Sequence, residues 1–282
     1  MMLNMFPSSL FARCTIARTT QTLAVLLGIC QIAAAQGSLD RVVQLNGMDS
    51  GKITSISVLG LILERGGVDK KIPAEQIVSV YFAGEPSQLN GARLAIDSGR
   101  YQEATELLEQ VSSDEIDREP VQSEYEYLAM AAMARDALAR RDDLQAAVEQ
   151  VAQFLNANRS SFHVPAAIEL LGDLYVALEQ YDQARTQYAK LGKAPSPYYK
   201  QKSALLTGRA WQAEGEHQEA LAEFEQVLQA TETGPAIEPI RLAATLEAAV
   251  SRAATGGGGL APESDRQSLA SADARADHLL AR

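Results

Sequence analysis

A pattern of small and aromatic residues that returns after 36 positions constrains this chain more than any other feature. Leu171, Gly172 and Tyr175, then Tyr181, Ala184 and Tyr188, are answered by Gly208 and Trp211, then Gly215, His217, Ala220 and Phe224. Gly172 to Gly208 and Ala184 to Ala220 each span 36 residues. Two antiparallel helices approach closely only where one offers Gly or Ala to the other's bulky ring. The order small, aromatic, small, large aromatic therefore describes a helix, a short turn and a second helix. Self-similarity at a fixed period of this size means stacked helix pairs, because one pair cannot bury its apolar face without a neighbour. The expected class is mainly α, an α-solenoid.

The pattern resembles the tetratricopeptide repeat (TPR) family, whose unit is a helix-turn-helix of about 34 residues. The full matches cover residues 164–196 and 199–231. Partial matches precede them. Gly99, Tyr101, Ala104 and Leu108 repeat the second half of the motif after a helix, residues 89–96, that offers Gly91 or Ala92 as the small residue. Residues 125–155 keep Leu144, Ala147, Val151 and Phe154 but carry Arg135 where Gly is expected. The longer spacings Ala104 to Ala147 (43) and Ala147 to Ala184 (37) place short insertions in the turns. Two full matches at one spacing favour stacked repeats over a generic helical bundle. About four helix pairs are expected over residues 86–254. The resemblance implies a groove lined by the first helix of each pair, with a partner polypeptide lying along it. The groove residues would then be Asp136 and Arg140, Glu169 and Asp173, and Lys202, Arg209 and Gln212, on the face opposite the packing residues Gly172 and Gly208.

Residues 1–35 are expected to lie outside the fold. They hold Arg13 and Arg18, no acid, an apolar run centred on Leu23, Ala24, Val25, Leu26, Leu27 and Ile29, and Ala33-Ala34-Ala35 before Gln36. A basic start, an apolar run too short to span a bilayer comfortably and a small-residue cleavage site make a secretory signal peptide. A lipoprotein leader is the competitor, since Cys30 follows Leu27-Gly28-Ile29, although Ile29 is larger than lipid attachment prefers. Cys14 and Cys30 are the only cysteines, so the mature chain would carry no thiol, disulfide or thiolate metal site. No second apolar run approaches membrane-spanning length, and the expected destination is the periplasm or cell envelope, with the extracellular space as the alternative.

The formal net charge is -11. Such a chain repels nucleic acid and anionic lipid unless a basic patch intervenes. The basic clusters, Lys70-Lys71 and the lysines between 190 and 202, are too short to neutralise several phosphates together.

Residues 36–84 have a different texture. Short β-branched runs (41–45, 52–56, 61–64 and 77–82) are separated by Asn46-Gly47, Gly51, Gly66-Gly67 and Pro73, which are turn formers. Four or five strands in about fifty residues suit a small, strongly bent barrel or meander, and their order looks like an SH3-like or Sm-like barrel, a shape that hosts many activities. Only Gly84-Glu85-Pro86 separates it from the first helix, so it is expected to cap the apolar end of the solenoid. At the other end Leu242, Leu246 and Val250 mark a last helix. Four glycines from Gly256 to Gly259 then stop it, and residues 255–282 read as a break and a flexible tail, with a weak amphipathic helix over 268–280 an option.

The residues offer little chemistry. The three histidines, His163, His217 and His278, lack metal-ligand spacing. No nucleophile elbow, phosphate loop or calcium loop is present, and Asp114-Glu115 and Asp142-Asp143 suit solvated turns. No catalytic constellation, cofactor or metal is expected. What remains is a non-enzymatic scaffold binding a protein or peptide in a groove of mixed charge. The opposed reading is an envelope polymer- or carbohydrate-binding protein that uses the β unit and exposed Tyr198 and Tyr199.

Overall fold

The computed structural model describes residues 39–256. The leader and most of the tail read from the sequence lie outside the described residues. The chain begins with an antiparallel meander: β1 (Asp40–Gln44), β2 (Gly47–Ser57), β3 (Gly60–Arg65), β4 (Val68–Pro73), a 3-10 turn (Ala74–Gln76) and β5 (Ile77–Tyr81). Two-residue turns join β1 to β2, β2 to β3 and β3 to β4. The last of these is Gly66-Gly67, both at positive φ, as a tight hairpin turn requires. The strand order is β4-β3-β2-β1-β5, with a register shift between Ile53 and Ser55 in the long β2.

The expected closed barrel is not formed. β4 and β5 lie at opposite edges and do not pair. The 3-10 turn between them is pinned elsewhere, by Ala74 N donating to Leu59 O at 3.0 Å and Leu45 N donating to Gln76 O at 3.1 Å. The sheet completes its core with helices in place of a fifth pairing. Val42, Leu61, Leu63, Ile72, Val80 and Phe82 share one cluster with Leu89, Ala92, Ile96, Leu108, Val121 and Leu128.

Nine α-helices follow among the described residues: α1 (Ser87–Asp97), α2 (Tyr101–Glu109), α3 (Glu119–Arg140), α4 (Leu144–Ala157), α5 (Val164–Ala177), α6 (Tyr181–Leu191), α7 (Pro197–Glu214), α8 (His217–Gln229) and α9 (Glu238–Ala254). They form four antiparallel pairs, α1–α2 to α7–α8, with α9 packed on the last. Pro120, Pro165, Pro197 and Pro239 open α3, α5, α7 and α9, where the missing N–H costs nothing.

The pairs meet at small residues. A Cβ on Gly172 would lie 2.1 Å from Tyr188 Cε1, and one on Gly208 would lie 2.5 Å from Phe224 Cε1. Ala104, Ala147, Ala184 and Ala220 are fully buried on the second helices. Tyr101, Tyr175, Tyr181 and Trp211 are half-buried at the edges of these contacts. Gly99 does not pack: it is exposed, at φ 73°, with nothing within 4 Å of a would-be Cβ. Its place in the α1–α2 turn is conformational, and Gly91, facing Leu107 Cδ1 at 3.1 Å, is the small residue of that pair. In α3 the small residue is the fully buried Ala134, which leaves Arg135 to turn the other way.

Candidate binding cleft

The first helices of the pairs supply one wall of a cleft, and β5 with the 3-10 turn supplies the other. The cavity between them measures about 270 Å³. Ile77, Val78, Ser79 and Val80 line it on the strand side, facing Asp97, Arg135, Glu169 and Lys202 from α1, α3, α5 and α7. Ser196 Oγ donates to Glu75 Oε1 at 2.7 Å and fastens the 3-10 turn to the start of α7.

Glu169, Asp173 and Lys202 are brought together across α5 and α7. Lys202 Nζ lies 2.8 Å from Glu169 Oε1. Burial opposes the Lys202 ammonium, yet the Glu169 charge outweighs it and holds the pKa above the usual lysine value. Tyr188 O–H donates to Asp173 Oδ1 at 2.6 Å. Burial pushes the Asp173 carboxyl up to about 6, Tyr188 works against this, and Glu169 adds to it. Burial and the Asp173 charge likewise push the Tyr188 phenol up. Arg209 and Gln212 look towards α9: Arg209 Nε lies 2.9 Å from Glu247 Oε1, and Gln212 Nε2 donates to Ser251 Oγ at 3.1 Å. Asp136 and Arg140, one turn apart on α3, pair with each other at 3.2 Å.

The tyrosines read as exposed are not. Tyr199 is buried and Tyr198 half-buried, edge-on at 5.0 Å, against Ala74 of the 3-10 turn. The turn docks where a free aromatic platform was expected, so these rings are structural.

A buried ionic network beneath the cleft was not anticipated. Arg93 grips Glu85 with two hydrogen bonds of 2.6 and 2.8 Å and donates from Nε to Glu124 Oε1 at 2.9 Å. Glu124 Oε2 lies 2.7 Å from His163 Nε2, and Tyr127 stacks on that imidazole with centroids 3.5 Å apart. Burial disfavours the Glu124 charge, but His163 and Arg93 hold the carboxyl below its usual range. Burial pushes the Tyr127 phenol up to about 12. Glu124 and His163 also reach a second cavity of about 530 Å³, between β2 and the α4–α5 loop. Asp40 forms a separate knot, accepting from Ile53 N at 2.9 Å, Ala83 N at 2.8 Å and Arg118 Nη1 at 2.7 Å. Burial alone would raise its pKa, but Arg118 and the two amides hold it low. A charged residue on the apolar face of α1, Arg93 beside Leu89, Ala92 and Ile96, was the available signal for the first network.

Among the described residues no helix is long and apolar enough to cross a membrane. No family model and no curated protein matches the chain. Several solved structures are similar. A single-site variant of a Podosopora anserina protein of nearly identical TPR-like repeats is 26% identical, over 67% of this chain and 92% of that one, with a TM-score of 0.47. The MamA proteins of AMB-1 and MSR-1 are each 19% identical over 67% of this chain and 96% of theirs, with TM-scores of 0.42 and 0.41.

Proposed function

We propose that this chain is a non-enzymatic interaction scaffold that holds a partner polypeptide in the cleft between β5 and the first helices. The observation that carries the reading is the cleft wall itself: Glu169, Lys202 and Arg135, from three successive pairs, converge on one cavity. Side chains held by neighbours, with part of their surface open, lose little freedom when a partner docks. Mixed charge suits a polar polypeptide. The overall net charge of -11 disfavours nucleic acid and anionic membranes as partners. The leader sequence supports export, with the partner in the periplasm or cell envelope, and a mature chain starting at Gln36.

Site-specific photo-crosslinking tests the cleft. A benzophenone side chain at Ala166, which lines the cavity, should capture a partner polypeptide, whereas one at Gln183, exposed on α6, should not. Capture from Gln183 alone would move the binding surface to the other side of the array. Intact-mass analysis of exported protein should give residues 36–282. A lipid-modified Cys30 would replace the soluble form with an anchored one.

A further inference from the structure

The two apolar faces of α9 are unequally covered. In α5 and α7 one face packs back on the preceding pair, through Leu170 and Leu206. A residue two positions on lies about 200° round a helix. There Gly172 and Gly208 receive Tyr188 and Phe224 from the second helix of their own pair. In α9, Ile240, Ala244 and Ala248 pack back on Phe224 and Val227 of α8. The same step of two leads to Leu242, Leu246 and Val250, which are 37%, 44% and 55% exposed. Pro239 and Ala253, both exposed, extend the stripe. Among the described residues α9 is a first helix without its second.

The sequence beyond the described residues carries a matching pattern. In all four second helices an alanine (104, 147, 184 and 220) is followed after four and seven residues by larger apolar ones, as in Tyr181, Ala184, Tyr188 and Leu191. Leu269, Ala272, Ala276 and Leu279 repeat those steps of three, four and three. The bulk has changed sides: Ala276 stands where the other pairs have Tyr188 and Phe224, and α9 offers leucines where they offer Gly172 and Gly208. A large residue on one helix and a small one on the other still fill one crossing. We infer that residues 268–280 form the second helix of a fifth pair and pack on the exposed stripe of α9. Such a helix is about 20 Å long, more than the about 12 Å from Leu242 to Val250, and residues 257–267 give ample chain for the turn. A second copy fits less well. Three half-exposed side chains from each copy fall short of the about 1,200 Å² that stable association buries, whereas a tethered segment acts at high effective concentration. The array is then closed by its own chain at this end, as it is by the sheet at the other, and partner binding is left to the cleft.

Hydrogen exchange by mass spectrometry on the full chain tests this. Exchange over residues 271–280 should be at least about tenfold slower than in a synthetic peptide of residues 257–282, at any protein concentration. Ala276→Asp, on the packing face, should return it to the peptide rate, and so should Leu246→Asp on α9, whose exposed position spares the rest of the fold. Ala274→Asp makes the same change in helix propensity about half a turn away and should leave exchange slow. Peptide-rate exchange in the unmodified chain overturns the inference. Protection that survives Leu246→Asp also overturns it, because the segment then docks elsewhere. So does protection that appears only as concentration rises, with dimers in sedimentation, because a second copy is then the occupant.

Discussion

At the scale of single residues, Gly172, Asp173 and Tyr188 form one unit. The ring sits where a Cβ of residue 172 would be, and the phenol is tied to Asp173, so it cannot swing away. Gly172→Ala should therefore overpack the pair and cost about 1–3 kcal/mol by chemical denaturation. Gly208→Leu, Ala184→Leu and Ala220→Leu should do likewise. Arg209→Ala, one residue from Gly208 but 45% exposed in its side chain, should stay within about 0.5 kcal/mol because exposed ion pairs contribute little. Equal melting shifts at 208 and 209 would contradict the helix register. Asp173 gives a pH signature. Its folded pKa of about 6 lies above the ordinary 3.8, so the folded state binds the extra proton. This contribution is complete below about pH 4 and lost as pH rises through about 6. The stability difference between wild type and Asp173→Asn should change across that window, by about 1–3 kcal/mol, and be flat above it. A flat difference throughout would show a carboxyl charged in the folded state.

At the scale of elements, the sheet and the first helices depend on each other. The sheet core is finished by Leu89, Ala92, Ile96 and Leu128; Asp40 of β1 is tied to Arg118 just before α3, and Arg93 of α1 joins Glu85 to Glu124 of α3. A fragment of residues 36–84 should give poorly dispersed amide resonances, and one reaching residue 142 should be ordered. A well-dispersed short fragment would show that the sheet folds alone. Arg93→Met should cost about 3–5 kcal/mol, since it leaves Glu85 and Glu124 buried without their cation. A loss below about 1 kcal/mol would mean that water reaches them. These elements also show which parts of the fold were legible in the sequence. A ring over a glycine within one helix pair recurs at a fixed spacing, so Gly172 with Tyr188 and Gly208 with Phe224 leave a periodic trace. Arg93 with Glu124 (31 residues apart) and Asp40 with Arg118 (78 apart) leave none. The barrel was misjudged because strand-like runs and turns specify hairpins, whereas closure depends on whether the first and last edges meet. Here the chain passes through a three-residue 3-10 turn from one edge to the other, and β4 and β5 do not pair.

At the scale of the whole molecule, the sheet is more than a cap on the solenoid's end. Through the 3-10 turn it reaches α7, where Glu75 and Ser196, 121 residues apart in sequence, join, and this encloses the cleft. Glu169 and Lys202, two of the groove residues that the TPR resemblance implies, line the facing wall. The role of β5 as the other wall could not be read from the sequence, because it depends on how two dissimilar halves dock. Arg135 was noticed only as a misfit in the repeat, and its surroundings turn that misfit into a cation facing the cavity. Hydrogen exchange by mass spectrometry on the full chain, with and without a captured partner polypeptide, tests the cleft most directly. Binding there should slow exchange in residues 77–81 and along the cleft-facing segments of α3, α5 and α7, with α4, α6 and α8 unchanged. Slowing confined to α4, α6 and α8, with β5 unaffected, would contradict it.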